Sequence, residues 1–151
     1  MGMLTLPGRV FLLAFAVAFV GASEISEAQQ RKTAIYLECP AKDPVGRSLC
    51  FLVREQIRKS AVFSLALDDT DAFVRVRIHS VDRDTPPTGQ ASSIAVILTL
   101  ASGDSYLHDQ ILFVGRNAVE TAAVGIVAGI DEYLDQLFKD AAREGVQRQG
   151  N

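Results

Sequence analysis

His79 and His108 are the only histidines in 151 residues, so any histidine-based acid–base step must run through one of them. Ser80, Asp82 and Asp109 stand close by in the chain, and a serine–histidine–aspartate set would activate a hydroxyl for attack on an acyl group. None of the serines lies in a G-x-S-x-G elbow, the sharp turn that lifts such a nucleophile above its sheet. A hydrolase using His79 or His108 is therefore the weakest reading, and both read as surface histidines. Two histidines on separate strands plus Asp109 match no close zinc-ligand spacing. Asp68-Asp69-Thr70-Asp71 offers carboxylates to calcium but lacks the glycine and distal glutamate of a calcium loop, so it reads as an acidic solvated turn. Val114-Gly115-Arg116-Asn117 leads into a helix whose free N–H groups favour an anion, but one glycine is a weak signal and capping explains Asn117. No catalytic residue, metal or cofactor is assigned.

The richest surface is expected on a sheet. Arg75 and Arg77 lie two apart and share a strand face with Phe73 and His79, and Tyr106 and His108 are expected to join them from a later strand. Phe73, Arg75, Arg77, His79, Tyr106 and His108 are thus the candidate ligand- or partner-binding residues. A mixed basic, aromatic and apolar face exceeds what solubility requires and suits a protein partner. The alternative is a small anionic ligand held by Arg75, Arg77, His79 and His108.

The elements that must position these residues follow from periodicity. Thr33–Glu38 alternates as a half-buried strand. Asp43 and Pro44 form a helix start, and Val45, Leu49, Leu52, Val53 and Ile57 fall on one helical stripe. Val62–Leu67, Phe73–His79, Ser93–Ala101 and Tyr106–Val114 read as four more strands. Gly103-Asp104 is expected as a two-residue hairpin loop, which would pair Leu100 with Leu107, Val96 with Ile111 and Ile94 with Phe113 on the inner face. One inner pair, Leu98 with Asp109, does not fit. Asn117 and Glu120 resemble a capping box before a long apolar stripe from Val119 to Ala141, in which Gly125 and Gly129 would allow close approach to the sheet. The expected architecture is α+β in two layers: an antiparallel sheet of about five strands with both helices on one face, in the order β-α-β-β-β-β-α.

The ends place this domain. Val10–Ala22 is an apolar run behind Arg9, followed by small residues, the layout of a signal peptide cut after Ala22 or, alternatively, after Ala28. A spanning helix needs about 20 apolar residues, more than this run supplies. Residues 23–32 read as a flexible lead-in, 33–143 as a single domain and 144–151 as a polar tail. Cys39 and Cys50 are the only cysteines, and in an oxidising compartment such a pair reads as a structural disulfide; a redox C-x-x-C spacing is absent. A net charge of −3 gives no electrostatic case for nucleic acid, and the lack of tryptophan argues against a stacking platform. The expected product is exported, periplasmic or extracellular, without stable membrane insertion once the signal is removed.

In its helix Val45–Lys59, its strand pair Asp71–Val76 and Ile94–Leu100, and its closing helix Ala118–Phe138, the chain resembles the small exported bacterial modules typified by the TolB amino-terminal domain and related envelope-assembly subunits. The resemblance is one of element order, without a diagnostic motif. It implies a non-catalytic binding or assembly role, with another exported or envelope protein as partner.

Overall fold

The computed structural model describes residues 32–149. The expected signal segment 1–22, its alternative cut after Ala28, and the lead-in 23–32 up to Arg31 lie outside the described residues. The chain runs β1 (Thr33–Glu38), α1 (Pro44–Lys59), β2 (Phe63–Leu65), β3 (Val74–Asp82), β4 (Ala91–Leu100) and β5 (Tyr106–Gly115). A 3-10 turn (Arg116–Ala118) then leads into α2 (Val119–Gln149). The α+β order and the five strands are those expected. α2 is longer than expected and continues through most of the stretch read as a polar tail.

α1 starts where Asp43, in extended backbone, accepts the N–H of Gly46 at 2.8 Å, with Pro44 at the first helical position. Val45, Leu49, Val53 and Ile57 recur every fourth residue and are all buried. The helix stops at Ser60, whose hydroxyl accepts the N–H groups of Val62 and Phe63 at 3.1 and 3.2 Å and turns the chain into β2. The start of α2 differs from expectation. The chain enters it through the 3-10 turn behind Gly115, so Asn117 lies inside a helical turn instead of capping one.

Strand polarity is the main correction to the expected architecture. The sheet order is β2-β1-β3-β4-β5, and β1 runs parallel to both of its neighbours. Only the pairs β3–β4 and β4–β5 are antiparallel, so the sheet is mixed. The cause is α1, a helical crossover that returns the chain to the end of the sheet where β1 began, so the next strand repeats its direction. β2 takes the first half of β1, from Thr33 to Ile35, and β3 takes the second half, from Ile35 to Glu38.

Both helices cover one face. Ile35, Val74, Val76, Ile78, Ile94, Val96 and Leu98 alternate along three strands and are buried against α1 and against Val119, Ala123, Ile126, Ile130 and Leu134 of α2. Cys39 and Cys50 are disulfide-bonded with Cα atoms 6.1 Å apart, which ties the end of β1 to α1. Gly125 and Gly129 do not mediate close approach: a Cβ added at either would meet nothing within 4 Å. They lie on the exposed side of α2. Among the described residues, no helix packs on the opposite face of the sheet.

Candidate functional site

The uncovered face is built from residues that alternate with the core. Its rows run across the strands: Tyr36, Arg75, Thr99 and Tyr106; Glu38, Arg77, Ile97 and Asp109; His79, Ala95 and Ile111; Val81, Ser93 and Phe113. Antiparallel partners and parallel neighbours on one pleat share a side, so each row is a line of touching side chains.

The basic end of this face is already neutralised. Arg75 is mostly buried, donates from Nε to Asp69 at 2.8 Å, and forms further ion pairs with Asp69 and with Asp104 from the β4–β5 loop. Hydrogen bonding to Asp69 is the largest of the effects that hold its guanidinium in the charged form. Arg77 donates to Glu38 from both Nε and a terminal nitrogen at 2.9 Å. Tyr106 donates its hydroxyl to Asp109, which raises the phenol's pKa above its ordinary value and keeps it neutral.

The six candidate residues are only partly assembled. Arg75, Arg77, His79 and Tyr106 share the open face. Phe73 precedes β3 and packs at the sheet end on Phe138 of α2, with ring centroids 5.6 Å apart. His108 is on the other side of the sheet, stacked on Tyr133 of α2 at 4.9 Å. An anion site made from both arginines and both histidines is therefore not formed: the histidines are on opposite faces and the arginines have carboxylate partners.

His108 is displaced because the β4–β5 register is one residue away from the expected one. Ile94 faces Leu112, Val96 faces Gln110, and Leu98 faces His108. The loop is longer than two residues: Leu100 donates its N–H to Ser105 at 2.8 Å, so Ala101–Asp104 forms the connection. Gly103 and Asp104 both have positive φ, 140° and 54°, as such a reversal requires. The register then shifts between Leu98 and Thr99, leaving Leu107 unpaired as a bulge. Its carbonyl accepts the Tyr133 hydroxyl at 2.7 Å. A one-residue slip turns every side chain over. It brings Ile111 and Phe113 out to the open face, where they are 69% and 72% exposed, beside Val81 at 68% and Tyr106 at 62%.

Val81, Ile111 and Phe113 are the part of the surface that the sequence reading missed, whereas Tyr106 was among its candidates. The misfit of Leu98 with Asp109 was the available signal, since it placed a carboxylate under a helix. Arg83 completes the patch, with its guanidinium carbon 5.2 Å from the centroid of the Phe113 ring.

A concavity of about 730 Å³ lies between β5 and α2, lined by Val96, Leu98, His108, Gln110, Tyr133 and Lys139 among others. Among the described residues, no group of three or more histidine, cysteine, aspartate or glutamate side chains is placed to hold a metal ion. No described helix is long and apolar enough to cross a membrane.

The sequence matches no family model and no curated protein. Among solved structures, TolB from Acinetobacter baumannii aligns at TM-score 0.53 and 14% identity, over 69% of this chain. The chain spans 28% of that TolB chain's length. Protein XCC0632 from Xanthomonas campestris, of the DUF330 family, aligns at TM-score 0.57 and 11% identity over 73% of this chain and 90% of its own. These are likenesses of fold. They bear out the resemblance drawn from element order, at the level of architecture.

Proposed function

We propose that this protein is an exported, non-catalytic accessory domain that binds another protein on the open face of its sheet. The observation that carries the reading is the patch of Val81, Ile111 and Phe113, each more than two-thirds exposed on a face that neither helix covers. Large exposed apolar residues grouped at one end of a sheet face, with His79 in the row of Ile111 and Arg83 over Phe113, mark interaction sites in soluble proteins. The Cys39–Cys50 disulfide and the apolar run Val10–Ala22 both favour an exported product. The fold likeness to the bacterial proteins TolB and XCC0632 is one of architecture, and the accessory role rests on the resemblance in element order to envelope-assembly modules.

Photo-cross-linking in the native compartment tests the proposal. A photoreactive residue at His79 or Val81 is expected to yield one discrete adduct with a different protein, and the same residue at Gly125, on exposed α2, is expected to yield none. Val81→Glu combined with Phe113→Glu is expected to abolish the adduct while leaving the circular dichroism spectrum unchanged. Adducts that are absent, or equal at all three positions, would overturn it.

A further inference from the structure

We infer that β5 pairs antiparallel with β5 of a second copy of this chain, joining two five-stranded sheets into one. β5 is an edge strand of ten residues, whereas the opposite edge, β2, has three. The hydrogen-bond phase shows what that edge offers. Arg116 donates its N–H to Gln90 at 2.8 Å, so by alternation Val114, Leu112, Gln110 and His108 turn their N–H and C=O toward β4. The main-chain groups of Asp109, Ile111 and Phe113 therefore point outward, and they make no other hydrogen bond among the described residues. A row of free donors and acceptors is a template for another strand. Natural edges are guarded by proline, lysine, charge or bulges. Between Asp109 and Gly115 there is no proline or lysine, and the bulge at Leu107 lies toward the hairpin end.

Charge and shape favour a second copy as the occupant. With the two-fold axis at Ile111, that residue faces its own equivalent, and Asp109 faces Phe113 of the other copy. The Phe113 ring carries Arg83, which forms no ion pair among the described residues. Each Asp109 thus meets the opposite Arg83, twice over by symmetry, as a self-complementary interface requires. No like charges face each other between His108 and Val114. The two apolar patches also merge around the axis, so the dimer enlarges the partner-binding face without depending on any partner.

Sedimentation equilibrium of the purified chain over a range of concentrations is expected to give twice the monomer mass at the upper end. Ile111→Pro removes one outward N–H while leaving the bonds to β4, which edge strands tolerate, and is expected to return a folded monomer. Asp109→Arg is expected to weaken the dimer at least tenfold, and adding Arg83→Asp to restore it. A wild-type chain that stays monomeric overturns the inference, as does a dimer indifferent to Ile111→Pro and to the charge exchange. If β5 instead captures a strand from a different protein while the pure chain stays monomeric, that also overturns it. The sedimentation readouts use the pure protein, so they are independent of the cross-linking that tests partner binding.

Discussion

Replacing Asp43 by alanine would remove three hydrogen bonds from one carboxylate. Oδ1 accepts the N–H of Gly46 at 2.8 Å and the hydroxyl of Ser92 at 2.5 Å, and Oδ2 accepts the hydroxyl of Ser80. Ser80 and Ser92 are on β3 and β4, on the helix side of the sheet, so this single side chain fastens the start of α1 to two central strands. Loss of an N-cap costs about 1 kcal/mol. Ser92 is fully buried, and a hydroxyl stranded without an acceptor adds about 1–3 kcal/mol. Asp43→Ala should therefore cost about 2–4 kcal/mol, or roughly 10 °C in Tm for a domain of this size.

Asp43→Asn separates shape from charge. Its amide oxygen still accepts from Gly46 and Ser92, so the loss should be about 1 kcal/mol, the excess of a charged over a neutral acceptor. Burial alone would raise the pKa of Asp43, but the bonds from Ser80, Ser92 and Gly46 together outweigh it and hold the carboxyl below its ordinary value of 3.8. A depressed folded-state pKa gives stability that is complete above the unfolded value and is lost as pH falls through the folded one. Urea unfolding at pH 7 and at pH 3 should therefore show the gap between wild type and Asp43→Asn shrinking in acid. A gap that is the same at both values, or an alanine variant within 0.5 kcal/mol of wild type (roughly the scatter of neutral surface changes), would refute the assignment.

Two further substitutions test the packing around the helices. A Cβ at Gly46 would lie 1.9 Å from the Ser80 hydroxyl oxygen, so Gly46→Ala should destabilise by about 1–3 kcal/mol and be partly rescued by Ser80→Gly in the same melting assay. Gly125→Ala and Gly129→Ala meet no neighbour and should each stabilise α2 by about 0.5–1 kcal/mol. Destabilisation by either would restore the idea that these glycines exist for close helix–sheet contact.

Local structure was legible in the sequence wherever one element decided it. The Asp43–Pro44 start, the Val45–Ile57 stripe and the alternation from Val74 to Ile78 each follow from a period and a cap, and the structure contains all three. What pairs with what was less legible. Asp43 reads as a cap from its neighbours, but its bonds to Ser80 and Ser92 join residues 37 and 49 positions apart, and neither serine carries a local mark of that role. Likewise, nothing between Thr33 and Glu38 states that β1 will have parallel partners on both sides. Polarity is a property of the α1 crossover and not of the strand. The candidate site suffered most, because membership of a face depends on register. Arg75, Arg77 and His79 share one strand and stayed together, while His108 depended on a hairpin and went to the other side.

The register of β5 shows how such a choice is made. Burying Ile111 and Phe113 instead of leaving them in water would gain about 1.5–3 kcal/mol each. The same slip would expose Leu112 and Val114, at a similar cost, so the apolar residues nearly cancel and the polar ones decide. Turned inward, the Asp109 carboxylate would point at α2, whose Glu132 and Asp135 line the same concavity, and would face two like charges. Turned outward, it accepts the Tyr106 hydroxyl, while His108 gains a stacked partner in Tyr133 and Asp104 reaches Arg75. Exposure of Ile111 and Phe113 is thus a consequence of where the carboxylates can go. The same two residues also carry outward-facing N–H and C=O groups on an edge free of proline and lysine, and Arg83 stands over one of them. Apolar surface and free hydrogen-bonding groups therefore coincide on β5, and Arg83, from the loop after β3 and without an ion pair among the described residues, stands over Phe113, which gives the surface both a binding direction and a strand-shaped partner.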